Sequence, residues 1–245
     1  MSIAAADRLA LDRPLRTALP GATFGAGGSE PYAYALRVGD SPQLFLTDAK
    51  RLGTESISMN LARWTSSANL ADLSLLSAVS GPVLDIGCGP ARMVIAALAL
   101  GLTALGIDVS EAAIENAADA GIPAVLGDVF DAVPNAGGWQ EGEWQTVLLV
   151  DGNIGIGGDV SALLARCSEL LVPGGHIVVE LHTQKTRDRS FTGLLVDTRG
   201  RQSAAFPWAE VGLAGVLRRS LGLGLTLLHS WTLDGRSFCR LATAR

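Results

Sequence analysis

The stretch that decides the fold is Val83-Leu84-Asp85-Ile86-Gly87-Cys88-Gly89-Pro90-Ala91-Arg92. Its first residues predict a short buried strand, Gly87 and Gly89 predict a tight turn, and residues 91–100 predict a helix. Glycine lets backbone approach a ligand closely, because no Cβ intervenes. Asp85 would repel a pyrophosphate at this turn, so the turn favours a cationic ligand such as an ammonium or a sulfonium.

Outward from this turn, short apolar runs alternate with helical patterns. Strands are predicted at 82–86, 103–107, 123–126, 145–150 and 176–181, with helices at 110–120 and 159–171 between them. Strands that are apolar on both faces and separated by helices predict a parallel sheet covered on both sides. After a helix near 208–221, strands at 225–232 and 237–243 flank Asp234-Gly235, which predicts a closing hairpin.

Acidic residues follow three successive predicted strands. Asp85 ends the first, Asp108 the second, and Asp128 follows the third. Parallel strands place these positions at one edge of the sheet, where open α/β folds bind ligands. Asp108 lies about 20 residues beyond the glycine turn, the separation at which a carboxylate accepts ribose hydroxyls.

With these motifs the sequence resembles the class I S-adenosylmethionine-dependent methyltransferases. The resemblance covers residues 66–243 and includes Leu170-Leu171-Val172-Pro173-Gly174-Gly175 before the fifth strand. It implies a Rossmann-like doubly wound sheet of order 3-2-1-4-5-7-6, with strand 7 antiparallel. Ala91 departs from the pattern, because the family often has a third glycine there.

The resemblance also implies a cofactor, S-adenosylmethionine, and its contacts. Asp85, Gly87 and Gly89 would surround the methionine part, Asp108 the ribose, and Asp128 with Val129 the adenine. The full set of expected cofactor residues is Asp85, Gly87, Cys88, Gly89, Asp108, Val109, Asp128, Val129 and Asp151. Cys88 is expected mainly to fill space in the turn.

The acceptor side is predicted from the segments after strands four and five. Asp151 and Asn153 are placed to orient an acceptor, and Asp159 is expected to cap the next helix. Glu180 and His182 share one side of a strand, and His182 is the general-base candidate because its pKa lies near neutrality. The candidate aromatic walls of the acceptor site are Trp64, Tyr32 and Tyr34, with core packing as the alternative.

The chain divides into an N-terminal appendage, residues 1–65, and a methyltransferase domain, residues 66–245. In the appendage, strands at 34–38 and 43–47 are predicted to form a hairpin around Gly39-Asp40-Ser41-Pro42, with a third strand at 54–59. A helix at 69–79 is predicted with Ser66 or Ser67 as its cap and Leu70, Leu73 and Leu76 on one face. Arginine-rich residues 184–207 are an insertion, expected to form either a hairpin or lid over the acceptor or a solvated loop.

The composition of the chain limits which classes of protein remain. The 245 residues are 48% hydrophobic and 18% charged with net charge −5, which excludes a disordered chain and disfavours nucleic acid as a partner. No apolar run is long enough for a membrane span and no signal peptide is visible, so a cytoplasmic location is expected. The three separated cysteines predict reduced thiols and no zinc site.

The expected activity is methyl transfer to a small molecule, with a hydroxyl preferred because of Glu180 and His182. The alternatives are N-methylation of a small amine, or an NAD(P)-binding Rossmann oxidoreductase, which the acid at Asp85 argues against. A binding protein without catalysis is a further alternative. No metal site is expected, although a lone magnesium at Asp151 stays open, and a homo-oligomer is possible.

Overall fold

The computed structural model describes residues 22–25, 30–38, 43–51, 56–131, 133, 138 and 140–243. The predicted turn at 39–42 and the start of the predicted strand at 54–59 lie outside these residues. The strands are, in chain order, β1 (Leu44–Asp48), β2 (Ser56–Met59), β3 (Val83–Ile86), β4 (Ala104–Asp108), β5 (Ala124–Leu126), β6 (Trp144–Leu149), β7 (Leu171–Leu181), β8 (Asp188–Asp197), β9 (Phe206–Val211), β10 (Thr226–Leu233) and β11 (Arg236–Ala242).

The helices are α1 (Pro31–Val38), α2 (Leu61–Trp64), α3 (Leu70–Leu76), α4 (Arg92–Ala99), α5 (Glu111–Asp119), α6 (Val160–Leu170) and α7 (Leu213–Arg219). A short 3₁₀ helix, Asn153–Gly155, follows β6. None of the helices in the described ranges is long and apolar enough to cross a membrane.

Seven strands form the main sheet in the order β5-β4-β3-β6-β7-β11-β10. The first five strands of this order run parallel, and β11 pairs antiparallel with both β7 and β10. Numbered along the sheet-forming strands of the chain, the order is 3-2-1-4-5-7-6. The fold class and topology predicted from the sequence are therefore confirmed.

The main sheet is buried on both faces because its central strands are apolar throughout. All four residues of β3 are buried. Leu84 and Ile86 belong to the core that contains α6, whereas Val83 packs into the core that contains α3 and α4. This alternation is the period of two that a strand imposes, and it leaves Asp85 at the carboxyl end with little solvent around it.

A second, antiparallel sheet has the order β2-β1-β8-β9. In it β1 pairs with β2 and also with β8, with Leu44 opposite Asp197. The N-terminal segment and the insertion after β7 therefore share one sheet. Residues 188–197 are a ten-residue strand that pairs antiparallel with β9, so the insertion forms the hairpin that was one alternative and not a solvated loop.

The predicted hairpin between 34–38 and 43–47 is wrong. Residues 34–38 lie in α1, and β1 pairs with β2 instead. The helix forms because Glu30 caps it, accepting hydrogen bonds from the N–H groups of Tyr32 (2.9 Å) and Ala33 (2.7 Å), and because proline is favoured in a first helical turn.

Smaller corrections concern element ends. The cap of α3 is Asn69, which forms a reciprocal capping box with Asp72, and not Ser66 or Ser67. Leu70 is 75% exposed, so it does not lie on the buried face. Residues 208–211 belong to β9 and the last helix begins at Leu213. The predicted cap of α6 is confirmed, since Asp159 accepts from the N–H groups of Ser161 and Ala162.

Candidate active site

A large cavity lies at the carboxyl edge of the main sheet. The empty space between its lining residues is about 980 Å³, including the open mouth. The segments that follow β3, β4, β5 and β6 form its floor, and the N-terminal segment and β9 form its cover. Of the predicted site residues, those that line it are Trp64, Asp85, Gly87, Cys88, Gly89, Asp108, Val109, Asp128, Val129, Asp151 and Asn153.

The glycine turn after β3 forms the centre of the floor. The N–H groups of Gly87 and Cys88 both donate to the carbonyl of Ile107, at 2.8 and 3.1 Å. Gly87 and Gly89 have φ of +68° and +54°, where a side chain is strained. Ala91 has φ +65° at the start of α4. It therefore adopts, with some strain, the conformation that a third glycine would adopt freely.

Asn153 holds this turn in place. Its amide nitrogen donates to the carbonyls of Ile86 (2.8 Å) and Gly87 (2.9 Å). A Cβ on Gly87 would lie 2.7 Å from that nitrogen, so the glycine and the amide require each other. The side chain expected to orient the acceptor is thus used, at its nitrogen, to shape the cofactor side of the cavity.

Cys88 fills space beneath the turn, as expected. Its Sγ would lie 2.5 Å from a Cβ on Gly106, so sulfur and glycine are packed against each other. Burial raises the pKa of this thiol. A thiol of this kind is inert at neutral pH.

Asp108 is fixed at the end of β4 by two backbone groups. Its carboxylate accepts from the N–H of Gly89 and from the N–H of Ser110, both at 2.8 Å. Each oxygen keeps a further lone pair, so the pair can accept two hydroxyl groups. Burial raises the pKa of Asp108, and the two backbone hydrogen bonds oppose that shift.

Asp85 is a buried acid with a strongly raised pKa. It is 3% exposed, and burial raises its pKa to about 8, with the charges of Asp151 and Asp108 adding to the effect and Arg92 opposing it. A cation placed beside such a carboxyl restores its ionised form. The site therefore favours a ligand that places a positively charged group beside Asp85.

The segment after β5 closes the far end of the floor. Asp128 accepts from the N–H of Phe130 at 3.0 Å, and the side chain of Val129 is buried. Arg166 binds the carbonyl of Val129 at 2.8 Å, which anchors the turn to α6. The ring of Phe130 lies 2.7 Å from the position of a Cβ on Gly157, so this turn meets the loop after β6.

Asp151 lies at the centre of a network of charged side chains. Its carboxylate binds Arg63 and, at 2.5 Å, Arg92. Its own N–H donates to Glu180 at 2.7 Å, and Glu180 forms a two-pronged pair with Arg236. Burial raises the pKa of Asp151, and the guanidinium of Arg92 opposes this. Hydrogen bonding to Arg236 lowers the pKa of Glu180 despite its burial.

Three predicted site residues do not line the cavity. Glu180 lies in the network just described. His182 accepts from the N–H of Gln184 at 3.1 Å, and its backbone N–H donates to the carbonyl of Val211. Tyr34 carries the guanidinium of Arg201 over its ring, 3.3 Å from the centroid. The general base that the sequence suggested therefore does not face the ligand space.

Several residues that line the cavity were not predicted from the sequence. They include Phe24, Arg92 and Trp208, whereas Tyr32 was a candidate wall together with Tyr34. Tyr32 is 3% exposed, and its hydroxyl lies 3.0 Å from the position of a Cβ on Gly89, directly over the glycine turn. The helical start Glu30-Pro31 was the available signal, because it puts Tyr32 and not Tyr34 on the inner side of α1.

Comparisons with known proteins bear on the domain that carries this cavity. A family model described as a methyltransferase domain matches residues 83–175, which contain the glycine turn, Asp108, Asp128 and Asp151. A comparison with curated proteins gave no match. The nicotinamide-dependent alternative receives no support, since the matching family is one of methyltransferases.

Solved structures give the same fold. One is a SAM-dependent methyltransferase from Bacteroides fragilis in complex with S-adenosyl-L-homocysteine, with TM-score 0.71 and 17% identity over 94% of this chain and 99% of that one. Another is 1,6-didemethyltoxoflavin-N1-methyltransferase from Burkholderia thailandensis, with TM-score 0.54 and 17% identity over 74% and 81%. A third is the CcbJ methyltransferase from Streptomyces caelestis, with TM-score 0.52 and 17% identity over 71% and 88%. Residues 83–175 therefore match a methyltransferase domain, and the chain has the fold of the class I S-adenosylmethionine-dependent methyltransferases.

Proposed function

We propose that this protein transfers the methyl group of S-adenosylmethionine to a small-molecule acceptor. The observation that carries the proposal is the cavity floor, where Asp85, Asp108 and Asp128 surround a glycine turn at one sheet edge. An ammonium, two ribose hydroxyls and an adenine amine are the groups of this cofactor that such acids suit. The cofactor, when bound, supplies a methyl group on a sulfonium, a good leaving group.

The protein's own contribution is to bind, orient and exclude water. Asp108 would accept the ribose hydroxyls with its free lone pairs, while Gly89 and Ser110 hold it in place. Asp85 would ionise beside the cofactor's ammonium, because that charge reverses the effect of burial on its pKa. Tyr32 and Phe24 cover this end of the cavity.

The geometry favours a nitrogen acceptor over the hydroxyl that the sequence suggested. The hydroxyl hypothesis depended on Glu180 and His182, and neither lines the cavity. Asp151 does, yet Arg63 binds one of its carboxylate oxygens and Arg92 the other, so neither oxygen is free to take a proton from an acceptor. An uncharged nitrogen presents its lone pair without help from a protein base. The Burkholderia thailandensis relative, named as an N1-methyltransferase, is consistent with this choice.

A cytoplasmic location and a small-molecule partner complete the proposal. Cys88, Cys167 and Cys239 are free, buried thiols, as expected in a reducing compartment. The net charge of −5 opposes binding to nucleic acid.

Calorimetric titration with S-adenosylhomocysteine and with NADH tests the function. We expect binding of the first and none of the second. Asp108→Asn is expected to weaken binding by about tenfold or more, the loss typical of a charged hydrogen-bond acceptor. Asp119→Asn, at the exposed end of α5, is the matched control. Binding of NADH without binding of S-adenosylhomocysteine would reverse the conclusion.

A further inference from the structure

The cavity has an acceptor half, defined by Met59, Trp64, Ile156, Pro207 and Trp208. It lies beside Asp151 and the loop after β6. A Cβ on Gly155 would lie 2.8 Å from Nε1 of Trp208, so that indole rests on this loop. Trp64 follows Arg63, which binds Asp151. The acceptor half is thus bordered by the loop after β6 and by the cover of the cavity.

Two indoles form fixed walls here. Trp208 packs against Phe24 with ring centroids 5.3 Å apart and against Phe206 at 5.9 Å. Trp64 meets Tyr32 edge to face at 5.8 Å. Rings held in this way need no reordering when a ligand arrives, which lowers the entropy cost of binding. Aromatic side chains of this kind pair favourably with a ring of the ligand, either edge to face or offset.

Within the described part of the chain, no lysine or arginine lines the acceptor half, and the neighbouring Arg63 is bound to Asp151. Among the described residues that line the whole cavity, Arg92 is the only lysine or arginine. Its terminal nitrogens bind Asp72 and Asp151, and its Nε is fully covered. The charged side chain at the acceptor half is Asp151, an acid. A ligand carboxylate would be desolvated there without a partner, which is strongly unfavourable.

We propose that the acceptor is an uncharged, planar ring compound that lies against Trp64 and Trp208, and that its anionic analogues are rejected. This inference rests on the proposed function, because it takes the cofactor to occupy the floor. Met59 is then a residue that sets charge specificity, since it is an uncharged side chain of the same wall.

Binding to the protein saturated with S-adenosylhomocysteine tests the inference by calorimetry. The probes are 4-hydroxyquinoline, its 2-carboxylate, and methyl glucoside as a non-planar neutral compound. We expect 4-hydroxyquinoline to bind, and we expect the carboxylate to bind at least about tenfold more weakly. Equal or tighter binding of the carboxylate or of the glucoside, or no binding of 4-hydroxyquinoline, would overturn the inference. If S-adenosylhomocysteine itself does not bind, the proposed function fails first.

Variants of the full chain sharpen the test. Trp64→Leu is expected to weaken 4-hydroxyquinoline binding about fivefold, as for the loss of an aromatic pair, and to leave S-adenosylhomocysteine binding intact. Trp231→Leu is the matched control, because that indole donates to Ser74 outside the cavity lining. Met59→Arg is expected to shift the preference about tenfold towards the carboxylate. The assignment of this wall would be contradicted if both variants had normal melting temperatures, Trp64→Leu kept its affinity for 4-hydroxyquinoline, and Met59→Arg kept its preference between 4-hydroxyquinoline and the carboxylate.

Discussion

At the scale of single residues, Asp85 links function to stability. It is a buried acid with a pKa of about 8, whereas an unfolded chain gives aspartate a pKa of about 3.9. The folded protein therefore binds the proton more tightly than the unfolded one. Stabilisation from this group is complete below about pH 4 and is lost as the pH rises through the folded-state value.

Asp85→Asn should remove that pH dependence. We expect the ligand-free variant to gain more in melting temperature over the parent protein at pH 8 than at pH 5, because asparagine has no charge to bury. S-adenosylhomocysteine should bind the variant more weakly, since the ammonium loses its carboxylate. Thermal melts at the two pH values and a titration measure these effects. An equal change in melting temperature at both pH values would contradict the assignment, and Asp119→Asn gives the baseline for an exposed acid.

Tyr32 and Tyr34 show the limit of sequence reasoning at this scale. The sequence offered both as aromatic walls, and a strand would have put them on one face. The helix that forms instead buries Tyr32 over the glycine turn and places Tyr34 under Arg201. Asp85 and Asp108 were predictable because strand ends and glycine turns are local signals. The position of Tyr32 was not predicted, because the cap at Glu30 that starts a helix there was not recognised.

At the scale of elements, the turn between β3 and α4 depends on space as well as on backbone conformation. Gly87→Ala combines a strained positive φ with a Cβ that displaces Asn153. We expect it to lower the free energy of unfolding by about 3 kcal/mol. Gly101→Ala has a similar positive φ of +78° and open space around the new Cβ, so it should lose only about 1 kcal/mol. Denaturant unfolding compares the two, and equal losses would show that Asn153 does not constrain the turn.

The antiparallel sheet explains which elements escaped prediction. β8 pairs with β1, so Leu44 lies opposite Asp197, a residue that is far from it in the sequence. No local pattern encodes such a partner, and the segment 184–207 therefore read as a polar insertion. The strands β3, β4 and β6 were predictable because the helices α4, α5 and α6 follow them in the chain and cover the sheet. Similarly, the alternation that placed Glu180 beside His182 gave no sign that Arg236 binds Glu180.

At the scale of the whole molecule, the charged network joins parts that are distant in the chain. Arg92 on α4 and Arg236 on β11 both bind Asp72 on α3. Arg236 also binds Glu180 on β7, and Asp151 brings in Arg63 from the N-terminal segment. The cover of the cavity is thus tied to the main sheet through the same carboxylate that borders the acceptor half.

Removing one arginine from this network should affect the whole fold. In Arg236→Met, Asp72 and Glu180 each lose a buried charged partner, and we expect a loss of about 3 kcal/mol in the free energy of unfolding. Arg218→Met is the control, because Arg218 is 56% exposed and its pair with Asp188 should contribute less than about 1 kcal/mol. Urea unfolding followed by tryptophan fluorescence measures both. If the two variants lose equal stability, the network binds the elements no more strongly than a surface pair, and the cover must be held by its aromatic contacts alone.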